Sequence, residues 1–386
     1  MSNWKVKLAA LAVAGLALAP PAMAQDKIGI AALYNVSSGG LASLDGPSLN
    51  GVLLKAKMIN EAGGLLGGRM IDVTAIDTKD DTREAATAGQ RAVAIAGLSA
   101  GIGHSDSTFA LASAPLFQTA GIPFVTSGAT SPDLPAMVGS EMFLVPFGDD
   151  VQAHAMAEYA YDTLGLRNLA IWTDNGMDYT TGLSKYFVER FTALGGTVAI
   201  EDVYMTTDTD FSALVARLQS TVGVDGVFAS SGPDTAGVIV KQIREAGLAL
   251  PILAGDGFDT DLLVSVPGPT LATNVYFTTH AYVGLETGPA DTFRAAYEKE
   301  YGRAPENAFA ALGYDAMGLV ADAITRAGSS DPKAVSAALA ATSNYADAVT
   351  GAIAYIDGSR VPSKPVAIMQ VDAGTITLNT TVTPKS

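Results

Sequence analysis

One feature constrains this chain more than any other. Short β-branched or apolar runs recur along its 386 residues, and longer stretches of helical period follow most of them. Repeated βαβ units produce this alternation, so parallel sheets covered by helices are expected, an α/β fold class. Strands are expected at 27–34, 70–77, 93–96, 123–126, 168–173, 197–204, 226–230, 252–254 and 275–278. Helices are expected at 51–62, 109–117, 149–163, 179–194, 211–221, 235–246 and 290–301. Asp210 stands where an N-cap would start one of these, and Gly195-Gly196 stops the helix before it. A chain of this length outgrows a single core, so two doubly wound sheets in succession account for the pattern better than one oversized sheet.

The first residues point to export. Lys5 and Lys7 precede an uncharged apolar run from Leu8 to Ala19, then Pro20, Pro21 and the small-residue signature Ala22-Met23-Ala24. This is the pattern of a secretory signal peptide, with cleavage expected after Ala24 and a periplasmic location for the mature chain. The run is shorter than the roughly 20 residues a membrane span needs, and no later segment reads as long and apolar enough to span a bilayer. The formal charge of -16 becomes about -18 once the two lysines are removed, a balance that disfavours nucleic acid and anionic lipid and suits a soluble monomer. With no cysteine, disulfides and thiolate metal sites are excluded. His104, His154 and His280 lie far apart without metal-ligand spacing and read as surface or hinge residues.

Motifs for catalysis or nucleotide binding are missing. Gly63-Gly64-Leu65-Leu66-Gly67-Gly68 follows a helix and reads as a stop and turn, and Gly101-Ile102-Gly103 lacks the third glycine of a dinucleotide fingerprint. There is no phosphate-binding loop, no nucleophile elbow and no convincing acid/base pair, so no enzyme and no cofactor are expected. Ligands of open α/β sheets sit outside the carboxyl ends of strands, where helix N-termini offer free N–H groups. Four loops qualify there: 104–108 with Ser107, 126–131 with Gly128 and Thr130, 174–179 with Tyr179, and 254–258 with Asp256. Ser107 and Thr130 could bond a carboxylate, Asp256 an ammonium, and Tyr179 could cover an apolar group; from spacing alone, plain capping, a turn and a partly buried helix start account for these residues better than binding does.

Several stretches match a known family in order and spacing. They are Ile28-Gly29-Ile30, Asn50-Gly51, Ile59-Asn60-Glu61-Ala62-Gly63-Gly64, Leu66-Gly67-Gly68-Arg69, Ala112-Ser113-Ala114-Pro115, Gly121-Ile122-Pro123, Ala129-Thr130-Ser131-Pro132-Asp133-Leu134, Thr209-Asp210-Phe211-Ser212-Ala213-Leu214 and Arg244-Glu245-Ala246-Gly247-Leu248. Across essentially the whole mature chain the sequence resembles the branched-chain amino-acid-binding proteins of ABC transporters. The resemblance implies a type I periplasmic binding protein: two Rossmann-like lobes with a three-crossing hinge, closing over a ligand for recognition by a membrane permease. Lobe 1 would hold 25–146 and 280–355, lobe 2 147–279 and 356–386. It further implies Ser107 and Thr130 on the ligand carboxylate with Gly128 offering backbone groups, Asp256 facing the α-amino group where many members have glutamate, and Tyr179 as the lobe 2 aromatic.

The departures fall on specificity. Gly232 stands where relatives place a second lobe 2 tyrosine, and Leu44, beside Asp45, stands near the lobe 1 aromatic position. Losing a tyrosine opens volume, so a ligand bulkier than leucine is allowed. If Asp45 or Asp106 faces the cleft, a cationic amino acid or a polyamine enters the range. The expected function is an importer's solute receptor for an amino acid or amino-acid-like molecule. The alternatives are the same receptor for an amide, polyamine or aromatic acid, or a ligand-sensing partner of a membrane receptor.

Overall fold

The computed structural model describes Met1 and residues 27–285 and 288–383. The expected signal peptide and its cleavage point lie outside the described residues.

The first sheet is built from β1 (Ile28–Tyr34), β2 (Ile71–Asp77), β3 (Leu98–Gly103), β4 (Phe124–Thr126) and β5 (Met142–Leu144). Its spatial order is β2-β1-β3-β4-β5, with every pairing parallel. Between these strands run α1 (Ala42–Glu61), α2 (Thr82–Val93), α3 (Ser107–Ala120) and the short α4 (Leu134–Val138). Successive β1 side chains enter cores on opposite faces: Ile28, Ile30, Ala32 and Tyr34 on one, Ala31 and Leu33 on the other. A strand buried on both faces must be apolar throughout, which is why β1 reads as an unbroken apolar run.

The second sheet follows the same plan: α5 (Asp149–Glu158), β6 (Asn168–Asp174), α6 (Asp178–Ala193), β7 (Thr197–Tyr204), α7 (Ser212–Ser220), β8 (Gly226–Ser230), α8 (Pro233–Glu245), β9 (Ile252–Ala254), α9 (Leu262–Ser265) and β10 (Val275–Thr279). A π-turn over Tyr159–Thr163 extends α5, and a single 3₁₀ turn spans Asp256–Phe258. The chain then returns to the first sheet as α10 (Gly288–Tyr301), α11 (Ala308–Ala327) and α12 (Pro332–Ala340). It ends in the second sheet as the antiparallel hairpin β11 (Val366–Asp372) and β12 (Thr375–Val382), giving the order β12-β11-β10-β9-β8-β6-β7. The chain therefore passes between the sheets three times: after β5, after β10 and before β11.

Three expectations are corrected. The apolar stretch 93–96 is not a strand: Val93 ends α2 and a turn follows, while the strand forms at Leu98–Gly103. Its small residues are a packing requirement, because a Cβ on Gly101 would collide with Phe117 and Phe124, and one on Gly103 with the backbone of Leu33. The first helix begins well before residue 51 and carries Pro47 inside it. Finally, α11 is long and apolar enough to cross a membrane by length and composition, but 89% of its apolar window is buried, packed as a core helix against α1.

Candidate functional site

The two sheets turn their strand ends toward a common cleft, and contacts across it hold the two halves together. The Gly40 N–H donates to Asp234 Oδ1 (2.5 Å), the Asp178 N–H donates to Thr108 Oγ1 (3.0 Å), and the Ser43 and Thr260 hydroxyls bond each other (2.7 Å). Between these contacts lies a small cavity. Leu41, Leu44, Ser105, Asp106 and Phe309 line it from one side, and Met177, Tyr179, Gly232, Pro233, Asp256 and Gly257 from the other. Four sequence-predicted residues, Leu44, Tyr179, Gly232 and Asp256, thus converge on one space.

Asp256 sits in the single turn after β9, where the flanking glycines let the backbone pack closely: a Cβ at Gly257 would strike the Ser231 carbonyl, and one at Gly255 would crowd Leu183 and the Tyr179 hydroxyl. The carboxylate is 2% exposed and held on both oxygens. Gln152 Nε2 donates to Oδ1 (2.9 Å), and His280 Nε2 bonds Oδ2 (2.8 Å). Burial pulls the His280 imidazole below its ordinary pKa, with Asp256 opposing that shift. A neutral ring with Nε2–H toward Asp256 fits this environment. Gln152 is shared: its amide also donates to Asp149 Oδ1 (2.9 Å), and its carbonyl accepts from the Asp256 N–H (3.1 Å) and Thr278 Oγ1 (2.7 Å). Asp149, at the start of α5, is pushed well above the usual carboxylate range by burial and by the charge of Asp256. The Tyr179 hydroxyl accepts from the Gly257 N–H (3.1 Å), and burial together with Asp256 and Asp149 keeps the phenol protonated.

The other three sequence-predicted residues do not line the cavity. Ser107 opens α3 in full burial, and its Oγ accepts from the Ser131 N–H (3.1 Å). The Gly128 N–H, expected to face a ligand, is already committed to the His104 carbonyl (3.1 Å) and Thr126 Oγ1 (3.3 Å). Gly128 packs behind two lining residues, since a Cβ there would meet Phe309 and Ser105. Thr130 is buried beside Asp149, and its carbonyl accepts the Asp149 N–H (2.8 Å).

The two neighbouring acids separate. Asp45 Oδ2 accepts from the Asn35 N–H (2.7 Å) and Oδ1 from the Ser105 N–H (2.8 Å), so it is a tie within the first lobe, and burial pushes it up to about 7. Asp106 lines the cavity, caps α3 through Oδ1 on the Thr108 N–H (2.8 Å), and is raised to about 6 by burial.

Sequence reasoning missed Gln152, Asp149, His280, Met177 and Phe309. His104, expected at the surface or a hinge, is buried and bonds Ser113 Oγ through Nε2 (2.8 Å), while His280 is buried at the second chain crossing, its ring tilted against Phe147 (4.1 Å between centroids). No cluster of potential metal ligands exists among the described residues.

The comparisons agree with this geometry. Residues 27–375 match the family model described as Periplasmic binding protein. The Leu/Ile/Val-binding protein BraC3 of Rhizobium johnstonii is 28% identical over 370 residues, covering 96% of this chain and 98% of that protein. The leucine-binding protein LivK of Thermotoga maritima superposes with a TM-score of 0.85 at 30% identity, over 92% of this chain and 99% of that one. LivJ of Streptococcus pneumoniae, solved in complex with isoleucine, gives 0.86 at 28% identity, over 93% and 100%. A two-sheet α/β architecture, a cleft between the sheets and a family match over most of the chain lead to one conclusion: the chain belongs to the periplasmic binding proteins, among the branched-chain amino-acid-binding proteins of ABC transporters.

Proposed function

We propose that the chain, exported and cleaved after Ala24, captures an α-amino acid in the cleft and presents its closed form to an ABC permease in the inner membrane. The lobes are assigned as 25–146 with 280–355 and 147–279 with 356–386, hinged where the chain passes between the sheets. The observation that carries the ligand reading is the Asp256 carboxylate: it lines the cavity, is buried, and is held by Gln152 and by His280. Each oxygen keeps a lone pair for a ligand N–H, and an ammonium in a site shielded from water makes a strong charge-assisted bond there. Tyr179 borders the same group and covers the ligand's apolar part. Leu44 and Gly232 set the volume left for the side chain, and at Gly232 a Cβ would press on the Met177 sulfur (2.8 Å). The family resemblance alone would put Ser107, Thr130 and Gly128 at the carboxylate end; none of the three lines the cavity, and the Gly128 N–H is bonded to His104 and Thr126 instead.

The experiment is calorimetric titration and thermal denaturation of the mature protein with α-amino acids. A ligand that binds only the folded state raises the melting temperature, by about 2.7 kcal/mol of added stability at a hundredfold excess over Kd. Asp256→Ala should abolish that rise while the ligand-free protein still folds. A rise retained in Asp256→Ala, or produced only by ligands without an ammonium group, would overturn the reading.

A further inference from the structure

The cavity contains a second carboxylate that the amino-acid clamp does not use. Asp106 is 1% exposed and lines the cavity from the lobe opposite Asp256. Its Oδ1 is occupied as the cap of α3. Its Oδ2 is buried and has no hydrogen-bond partner among the described residues. No lysine, arginine or histidine is among the described residues lining the cavity, and the charge of Asp178 in the other lobe makes an ionised Asp106 costlier still. Asp45, by contrast, has both oxygens bonded to backbone N–H groups and asks for nothing more.

We propose that the ligand carries a second cationic nitrogen besides its α-ammonium group, as a basic amino acid does, and that Asp106 is the residue selecting it. The inference rests on the amino-acid reading above. An aliphatic side chain closing over Asp106 would leave a buried carboxylate oxygen unpaired and an uncompensated charge, both costly in a site shielded from water. A side-chain ammonium or guanidinium reaching across from Asp256 supplies the missing donor and the missing charge in one group. Carboxylates on opposite walls also suit closure, because each lobe contributes one anion to a ligand with two positive centres. Neither half of the open cleft holds both.

The test is titration of the mature protein with lysine, ornithine, leucine and 1,5-diaminopentane, repeated on Asp106→Asn. Asparagine is as good an N-cap as aspartate, so the variant keeps the α3 cap and removes the charge. Circular dichroism and the ligand-free melting temperature verify its fold. The expected result is that lysine or ornithine binds the wild type more tightly than leucine. Asp106→Asn should then weaken the basic amino acid by about ten- to a hundredfold, the range for a lost charge-assisted bond, without weakening leucine. If leucine binds the wild type more tightly than either basic amino acid, this inference falls and the amino-acid reading stands. If the variant weakens leucine and lysine alike, Asp106 is structural and the inference also falls. If none of the four binds, both fall together. Diaminopentane binding as tightly as lysine supports the role of Asp106 and removes the carboxylate assignment instead. Should the variant not fold, the wild-type ranking of lysine against leucine decides alone.

Discussion

Gln152 holds the site together more than any other side chain. Its amide group makes four hydrogen bonds, two given to Asp149 and Asp256 and two received from Thr278 and the Asp256 N–H. Gln152→Leu keeps a similar volume but leaves two buried carboxylates short of a donor. Each unsatisfied buried polar group costs about 1–3 kcal/mol, so a loss of about 2–5 kcal/mol is expected in urea denaturation. Gln152→Glu should be at least as damaging, because a third acid would face the other two. A loss under about 1 kcal/mol in Gln152→Leu would show that the network is dispensable. The sequence exposed only part of this arrangement. Asp256 and Tyr179 follow the carboxyl ends of strands, one in the single turn after β9 and the other in the first turn of α6, where topology brings ligands, and flanking glycines mark the first. Gln152 lies inside a helix and His280 at a chain crossing, Gln152 being 104 positions and His280 24 positions from Asp256 in the chain. Local pattern says nothing about pairs so far apart. Ser107 and Thr130 look alike as caps or as ligand groups, because both roles want a hydroxyl at a helix start.

Among the elements, the pairing of α1 with α11 determines how the first lobe packs. The two helices approach at glycines: a Cβ on Gly51 would collide with the Ala310 carbonyl, and one on Gly313 with the Ser48 carbonyl. Both obstacles are helix backbone, which cannot rotate away as a side chain can. Gly313→Ala would ordinarily favour a helix, yet here it should destabilise by about 1–3 kcal/mol or more through overpacking, read as a lower denaturation midpoint. Unchanged or raised stability would mean the helices separate at little cost. Legibility at this scale followed the strength of local signals. The strands Thr197–Tyr204, Gly226–Ser230 and Ile252–Ala254 have the bounds expected from the sequence. The helix 149–163 was also marked, though its last turn is a π-turn. The start of α1 was hidden because Gly46, Pro47 and Gly51 look like breakers, and tertiary packing against α11 overrides them. The final hairpin went unread although Ala373-Gly374, both with positive φ (47° and 76°), makes its turn. Only the position of β10 shows why another pair of strands is needed there.

For the molecule as a whole, the buried acids set an unusual dependence of stability on pH. Asp45 is raised to about 7, and Asp106 and Asp259 to about 6, in each case first by burial; Asp80, the most solvent-accessible of the group and so the weakest contributor to stability, is raised to about 6 by partial burial and then by Asp234. Asp149, Asp174 and Asp315 are shifted in the same direction. A carboxyl whose folded pKa exceeds its unfolded value binds more protons in the native state between the two values. Its contribution to stability is therefore full below the unfolded pKa and is lost as the pH rises through the folded one. His104, lowered to about 3, and His280, also lowered, act in the opposite sense below their unfolded value of 6.5. They are two against seven; above 6.5 their opposition fades while Asp45 is still losing its proton, and only near pH 8 does Lys364, lowered to about 8 by burial, begin to act in their sense. The chain's formal net charge of -16 adds self-repulsion as the last acids ionise. Closure should follow the same trend, because Asp80 and Asp234 face each other across the cleft, and protonating Asp80 relieves that repulsion beside the Gly40 to Asp234 bond. Urea denaturation of the ligand-free protein from pH 5 to pH 7 should thus give a midpoint that falls steadily. A midpoint that rises over the same range would mean that the buried carboxyls are ionised and fully compensated in the native state.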